Sequence, residues 1–94
     1  MPDLEPLRLK AIVRGKVQGV SFRWYTQQTA LPLKLTGYAR NLPNRSVEVI
    51  AEGERAQLET LLQFLHVGPP TAHVEGVEVE WLAATGEFTD FSAG

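Results

Sequence analysis

The segment from Arg14 to Arg23 combines glycines with basic side chains, and these residue types can bind a small anion. Gly15 and Gly19 lack a Cβ, so the backbone there can approach a ligand closely. The segment leads into a helical pattern, and the first N–H groups of a helix lack intrahelical partners and lie at the positive end of its dipole. The spacing therefore predicts a phosphate cradle made by six loop residues, Gly15, Lys16, Val17, Gln18, Gly19 and Val20.

Arg23 follows near the start of this helix, where its planar guanidinium can bind two phosphate oxygens. The loop is not a nucleotide-binding phosphate loop, because Gly19 precedes Val20 and Ser21 rather than Lys and Ser/Thr. Ser21 has no histidine beside it, and we interpret it as a helix N-cap or a small loop residue. Two glycines before a helix are also typical of an ordinary turn, and the pattern alone leaves both interpretations open.

Hydrophobic periodicity predicts the elements that position this loop. Strands are expected at 7–14, 36–42, 47–52 and 77–81, with helices from 22 to near Pro32 and from 53 to 67. A bulge is expected near Gly76, and residues 85–91 are expected to form a short final strand. Trp24 can line the entrance of the pocket, but partial burial in the core is the favoured expectation. The lead-in, residues 2–6, is expected to fray.

The order βαββαβ predicts an α+β fold, a ferredoxin-like sandwich. We expect a four-stranded antiparallel sheet, with room for a short fifth strand, and two helices on one face. The length of 94 residues predicts a single domain over 1–94. This fold hosts many unrelated activities, so the function must be argued from the site.

Charge and composition narrow the class of partner. The net charge is −2, yet residues 1–45 hold eight of the nine Lys/Arg and only two of the eleven Asp/Glu. The basic half carries the candidate loop, and a positive field there would attract a phosphate compound; charges that merely solubilise the surface would give the same pattern. The absence of cysteine, of a signal-peptide pattern and of a long apolar stretch predicts a cytoplasmic protein without a membrane partner. We expect a monomer.

The chain resembles the acylphosphatase family in three blocks of residues. The first is Gly15-x-Val17-Gln18-Gly19-Val20-x-Phe22-Arg23. The second is Gly37-Tyr38-x-Arg40-Asn41 with Val47-Glu48-Val49 and Gly53. The third is Gly68-Pro69 with Ala72 and Val74, and the similarity extends from about Leu9 to Phe91.

The resemblance implies an enzyme that hydrolyses small acyl phosphates to a carboxylate and inorganic phosphate. It implies that Arg23 and the loop amides bind the phosphoryl group and that Asn41 orients the attacking water. It implies that neither a metal nor a cofactor is needed, and the positions of His66 and His73 also disfavour a metal site.

Three places depart from the family pattern. The family usually has glycine where Lys34 stands, so we expect a different or strained exit from the first helix. Arg45 follows Asn44 in the hairpin where glycine is usual, and because arginine is poor at positive φ we expect a different turn type. The family's usual ending is missing after Phe91, which predicts a weak last strand.

Three other functions remain open on the sequence. One is an acylphosphatase-like domain of a larger carbamoyl-transfer maturation protein, and another is a catalytically silent relative. The third is a ferredoxin-like binding module such as an RNA-recognition domain, which needs a basic sheet face with exposed aromatic side chains. The predicted strands instead carry acidic residues, Glu48, Glu52, Glu78 and Glu80, so we expect no nucleic-acid partner.

Overall fold

The computed structural model describes residues 5–94. Most of the predicted frayed lead-in lies outside this range, and the two residues of it that are described, Glu5 and Pro6, are exposed and precede the first strand. The elements follow in the order β1 (Leu7–Lys16), α1 (Phe22–Ala30), β2 (Thr36–Asn41), β3 (Val47–Gly53), α2 (Arg55–Val67), β4 (His73–Ala83) and β5 (Phe91–Ser92). No helix within 5–94 is long and apolar enough to cross a membrane.

The sheet has the strand order β4-β1-β3-β2-β5. Its first four strands pair antiparallel, which confirms the ferredoxin-like α+β fold. The register between β1 and β4 shifts between Arg14 and Gly15, so that Glu75 has no partner on β1. This shift is the bulge expected near Gly76.

The prediction of a final strand over 85–91 is wrong in its bounds. Only Phe91–Ser92 forms a strand, and it runs parallel to β2, with Phe91 beside Gly37. The N–H groups of Thr85 and Gly86 both donate to the carboxylate of Glu52, so they are not available for pairing in a strand.

The core lies between the sheet and the two helices. Alternate residues of β1 and β3 point into it and meet an apolar stripe from each helix, as the periodicity predicts. The rings of Phe22 on α1 and Phe64 on α2 lie 6.0 Å apart, which joins the two helices. The fully buried members include Leu9, Ala11, Val13, Val47, Val49, Ala51, Ala30, Leu58, Leu61 and Leu65.

Two acidic residues on the opposite face of the sheet are buried rather than exposed to solvent. Glu48 and Glu52 are only 8% and 5% exposed. Glu52 accepts hydrogen bonds from Arg8 Nε at 2.7 Å and from Thr85 N–H at 2.9 Å. Burial by itself would raise the pKa of Glu52, but the bonds from Thr85, Arg8 and Gly86 outweigh it and hold the pKa below its usual 4.5.

The exit of α1 is strained, as the departure at Lys34 led us to expect. Lys34 has φ 61°, its N–H bonds the carbonyl of Leu31, and the N–H of Leu35 bonds the carbonyl of Ala30. These two bonds form a Schellman motif, in which the left-handed position is normally glycine. The packing of Leu35 and Ala30 in the core holds the lysine in this conformation.

The hairpin between β2 and β3 contradicts our prediction of a different turn type. Arg45 adopts a left-handed conformation, with φ 72°, and its N–H bonds the carbonyl of Leu42 at 3.1 Å. Asn44 also stabilises the turn, because its Oδ1 accepts a bond from Ser46 N–H at 3.1 Å. The turn bonds outweigh the poor preference of arginine for positive φ.

Candidate active site

The glycines of the loop have two different physical roles. Gly15 lies where β1 passes β4 with φ 124°, and a Cβ there would come within 2.2 Å of the carbonyl oxygen of His73. Only glycine fits this close approach. Gly19 has open space around it, but its φ of 77° is one that residues with a Cβ rarely adopt. Gly15 therefore permits the close approach of β1 to β4 where their register shifts, and Gly19 bends the loop.

Ser21 is the residue before α1, and its expected capping bond is absent. Ser21 occupies the N-cap position as expected, but its φ is 61° and its side chain makes no cap hydrogen bond. Its carbonyl still accepts the first bond of the helix, from Tyr25 N–H at 3.0 Å. The left-handed turn at Ser21 directs the chain from the loop into α1.

The backbone donors at this point of the fold are unused. None of the N–H groups from Gln18 to Trp24 donates to a backbone or side-chain acceptor within the described range 5–94. Lys16 differs, because it is the last residue of β1 and pairs with His73. A run of unpaired N–H groups at a helix N-terminus is an anion-binding arrangement.

Arg23 and Asn41 border one cleft of about 440 Å³, together with Val17, Gly19, Ser21, Phe22, Trp24 and Ala93. Arg23 lies in the first turn of α1, and Asn41 is the last residue of β2. The expected core burial of Trp24 is wrong, because the side chain is 53% exposed at this cleft. Its ring packs edge-on against Tyr25, with ring centroids 5.0 Å apart, instead of entering the core.

The remaining predicted cradle residues lie around this cleft rather than in it. Gly15, Lys16 and Gln18 line an adjoining groove on the same loop. Val20 packs against the core. The structure thus brings Arg23, Asn41 and part of the loop to one place.

The side chain of Gln18 joins the loop to the β2–β3 hairpin, a contact that sequence reasoning missed. Its Nε2 donates to the carbonyl oxygens of Leu42 and Ser46, both at 2.9 Å. These acceptors lie at the two ends of the hairpin turn, which begins directly after Asn41. No sequence pattern pairs Gln18 with carbonyl groups 24 and 28 residues away.

Arg23 carries a charge that no carboxylate neutralises within residues 5–94. The ion pairs of this range engage Arg8, Arg14, Arg40 and Arg55. The residues that line the Arg23 cleft include no Asp or Glu. Gly94 lies beside the guanidinium, since a Cβ there would be 2.5 Å from Arg23 Nη1. The cleft is positive and can accept an anion.

The sequence matches the model of a known protein family over most of its length. The family model described as Acylphosphatase matches residues 9–93. The chain belongs to the acylphosphatase family. An acylphosphatase of Methanococcoides burtonii is 51% identical over 79 residues, which are 84% of this chain and 82% of that protein. An acylphosphatase of Thermus thermophilus is 54% identical over 74 residues, 79% of this chain and 84% of that protein.

The fold agrees with a solved acylphosphatase structure. The crystal structure of acylphosphatase from Bacillus subtilis superposes with a TM-score of 0.89 at 32% identity, covering 94% of this chain and 98% of that one. Membership of the acylphosphatase family makes the chain a hydrolase of acyl phosphates, with inorganic phosphate as a product. It favours hydrolysis over the RNA-binding alternative.

Proposed function

We propose that the phosphoryl group of the acyl phosphate lies between the loop amides and Arg23, and that Asn41 orients the attacking water. The observation that carries the proposal is a run of N–H groups, from Gln18 to Trp24, and the guanidinium of Arg23, all of which have no partner among the described residues 5–94. Fixed donors of this kind stabilise phosphoryl charge without having to reorganise during the reaction. Gly15 to Val20 shape the loop, and Arg23 adds two N–H donors in a fork.

The proposed chemistry is an in-line displacement at phosphorus. The water oxygen forms a bond to phosphorus while the bond from phosphorus to the acyl oxygen breaks, and the carboxylate leaves with that electron pair. The carboxylate is a good leaving group, so it needs no strong acid. A phosphoryl oxygen receives the proton that the water loses.

Asn41 suits the task of holding the water. Its amide is neutral at all relevant pH values, and its carbonyl oxygen can accept a hydrogen bond from the water without titrating. The side chain is exposed at the end of β2, on the cleft that Arg23 also borders. Positioning the water in this way lowers the entropic part of the barrier.

The proposal includes the setting in which the enzyme works. We propose that it acts without a metal or cofactor, as a single domain over 1–94, in monomeric form and in the cytoplasm. Hydrolysis in the presence of a strong chelator tests the first point, and light scattering of the purified chain tests the oligomeric state.

The roles of the two side chains are separable by experiment. We expect Arg23→Ala to lose both affinity for inorganic phosphate and turnover of benzoyl phosphate. We expect Asn41→Ala to lower kcat by roughly 10²–10³-fold while phosphate binding remains. Arg55→Ala, which removes an arginine from the exposed side of α2, is the matched control. Turnover near that of the wild type in either site variant contradicts the role assigned to that residue.

Substrate selectivity is tested with a phosphate monoester. Phosphate release from 4-nitrophenyl phosphate should be far slower than from benzoyl phosphate, because the site provides no acid to protonate a poor leaving group. Similar rates for the two compounds would contradict the mechanism.

A further inference from the structure

We propose that the preferred substrates carry a second anionic group at their acyl end, and that this group binds Lys16 and Arg45. The proposal rests on the proposed phosphate site and extends it to the other side of the same loop. It concerns which acyl phosphate is preferred, not whether acyl phosphates are hydrolysed.

A groove of about 600 Å³ adjoins the cleft that contains Arg23. It is lined by residues 15–19 of the loop and by Arg45. Val17 and Gly19 line both the groove and the Arg23 cleft, so the two spaces share these two loop residues. In the proposed binding mode, the acyl group extends along the loop from a phosphate at Arg23 toward the groove.

The groove, like the Arg23 cleft, is lined by cationic side chains that have no carboxylate partner within residues 5–94. Lys16 and Arg45 are exposed, and neither pairs with a carboxylate within residues 5–94. No Asp or Glu lines the groove. By contrast, the arginines on the sheet and on α2 are paired with carboxylates, at Arg8, Arg14, Arg40 and Arg55. Five Lys/Arg side chains have no carboxylate partner within residues 5–94, and three of them, Lys16, Arg23 and Arg45, lie around this loop, whereas Lys10 and Lys34 lie elsewhere. Three neighbouring cations of this kind attract anions.

Arg45 is held beside the loop by the backbone rather than by its side chain. Its left-handed conformation, with φ 72°, is unfavourable for an arginine. The N–H of Arg45 bonds the carbonyl of Leu42, and Gln18 donates to that same carbonyl and to that of Ser46. The loop and the turn are therefore one connected unit. The guanidinium is left free to bind a ligand.

The predicted class is an acyl phosphate whose acid carries a further carboxylate or phosphate. An exposed charge pair contributes modestly, and two cations acting on one anion correspond to roughly a five- to ten-fold gain in kcat/KM. Because both cations are exposed, added salt should reduce the gain.

The test compares 3- and 4-carboxybenzoyl phosphate with benzoyl phosphate, which has the same ring and reacting group. We expect the wild type to show a higher kcat/KM for at least one charged compound, and the preference should shrink between about 20 mM and 500 mM salt. Arg45→Asn removes the charge with a residue that tolerates positive φ, and it should lower the ratio of charged to neutral kcat/KM roughly two- to three-fold, since one of the two cations remains. Arg45→Lys should retain most of the preference, Arg45→Glu should invert it, and Arg55→Asn is the control.

The outcomes separate this proposal from the proposed function. If the wild type hydrolyses benzoyl phosphate but shows no preference for either charged compound, or if Arg45→Asn leaves the ratio unchanged, the second anion site is wrong and the phosphate site stands. If neither benzoyl phosphate nor the charged compounds are hydrolysed, the proposed function fails first.

Discussion

The side-chain amide of Gln18 donates a hydrogen bond to the backbone carbonyl oxygen of Leu42 at 2.9 Å. Leu42 directly follows Asn41, so this bond connects the loop to the strand end that carries the proposed water-binding residue. A second bond from the same amide reaches Ser46 at the far end of the turn. We therefore propose that Gln18 is a positioning residue that holds the loop against the hairpin.

Replacing Gln18 with glutamate tests this connection at nearly constant shape. A carboxylate cannot donate and faces two carbonyl oxygens, so we expect a loss of about 1–3 kcal/mol in the free energy of unfolding. We also expect roughly a ten-fold loss in kcat, because Asn41 is displaced relative to the loop. Urea denaturation and benzoyl phosphate kinetics measure the two effects.

Gln28→Glu, on the exposed face of α1, is the matched control for Gln18→Glu. Gln18→Met, which preserves the apolar part of the side chain, should lower kcat as well. Unchanged kcat in both Gln18 variants would contradict the positioning role.

Arg23→Lys keeps the positive charge but removes the fork of N–H donors. If the guanidinium binds two phosphoryl oxygens, kcat/KM for benzoyl phosphate should fall by roughly 10²-fold, although the net charge is unchanged. Steady-state kinetics measures kcat/KM for Arg23→Lys and for the control variant Arg14→Lys, which makes the same exchange near the end of β1. The comparison shows whether the geometry of the guanidinium or only its charge matters at Arg23. A loss below about three-fold would indicate that charge alone suffices.

Asn41→Asp changes the charge of the proposed water-binding residue without changing its shape. An aspartate would repel the phosphoryl group, so we expect weaker binding of inorganic phosphate as well as low turnover. Asn41→Ala should lose turnover only. Titration calorimetry with phosphate distinguishes the two variants, and equal phosphate affinity in both would place Asn41 away from the bound anion.

Lys34→Gly should stabilise the protein, since glycine removes the strain of a left-handed lysine at the C-terminus of α1. The expected gain is about 0.5–1 kcal/mol in the free energy of unfolding, after allowing for the greater flexibility of glycine in the unfolded chain. Lys34→Ala is the control, because alanine has the same Cβ and should give no gain. Equal stabilities of the two variants would show that the conformation carries no strain.

Protonation of Glu52 should lower the free energy of unfolding as the pH falls. Its folded-state pKa lies below the usual 4.5 because the bonds from Thr85, Arg8 and Gly86 outweigh the cost of burial. The unfolded state therefore binds a proton first as the pH falls, so this contribution is complete above about pH 4.5 and is lost below it. We expect Glu52→Gln to cost about 1.5–3 kcal/mol at pH 7.

The matching measurement is urea denaturation of the wild type and Glu52→Gln at pH 7 and pH 3. The gap in unfolding free energy between the two proteins should narrow at pH 3. A gap of constant size at both pH values would mean that packing, and not the ionised carboxylate, is responsible. Glu80→Gln, on the exposed β4 strand, controls for loss of one negative charge.

Three sequence-based expectations were wrong, and the structure gives a different physical reason for each. Trp24 was expected in the core, but helical geometry turns Phe22 and Thr26 inward and leaves the indole at the cleft. The segment before Phe91 was expected to form a strand, but its N–H groups bond Glu52 instead. Arg45 was expected to avoid positive φ, yet the bonds of the hairpin hold it there. Only the error at the last strand concerns contacts with distant residues, whereas the orientation of Trp24 follows from its own helix and the conformation of Arg45 follows from bonds within its own turn.

The sequence by itself determined the βαββαβ order, the core stripes, and the candidate residues Gly15, Gly19, Arg23 and Asn41. The element order, the core stripes and the residues Gly15, Gly19 and Arg23 follow from local preference and from alternation along the chain. Asn41 was identified by the resemblance to acylphosphatases. The tertiary structure alone decided that Arg23 and Asn41 border one cleft, that Gln18 joins the loop to the hairpin, and that Lys16 and Arg45 flank an adjoining groove. The physical reason is that sheet pairing and helix packing set the distances between residues far apart in the chain.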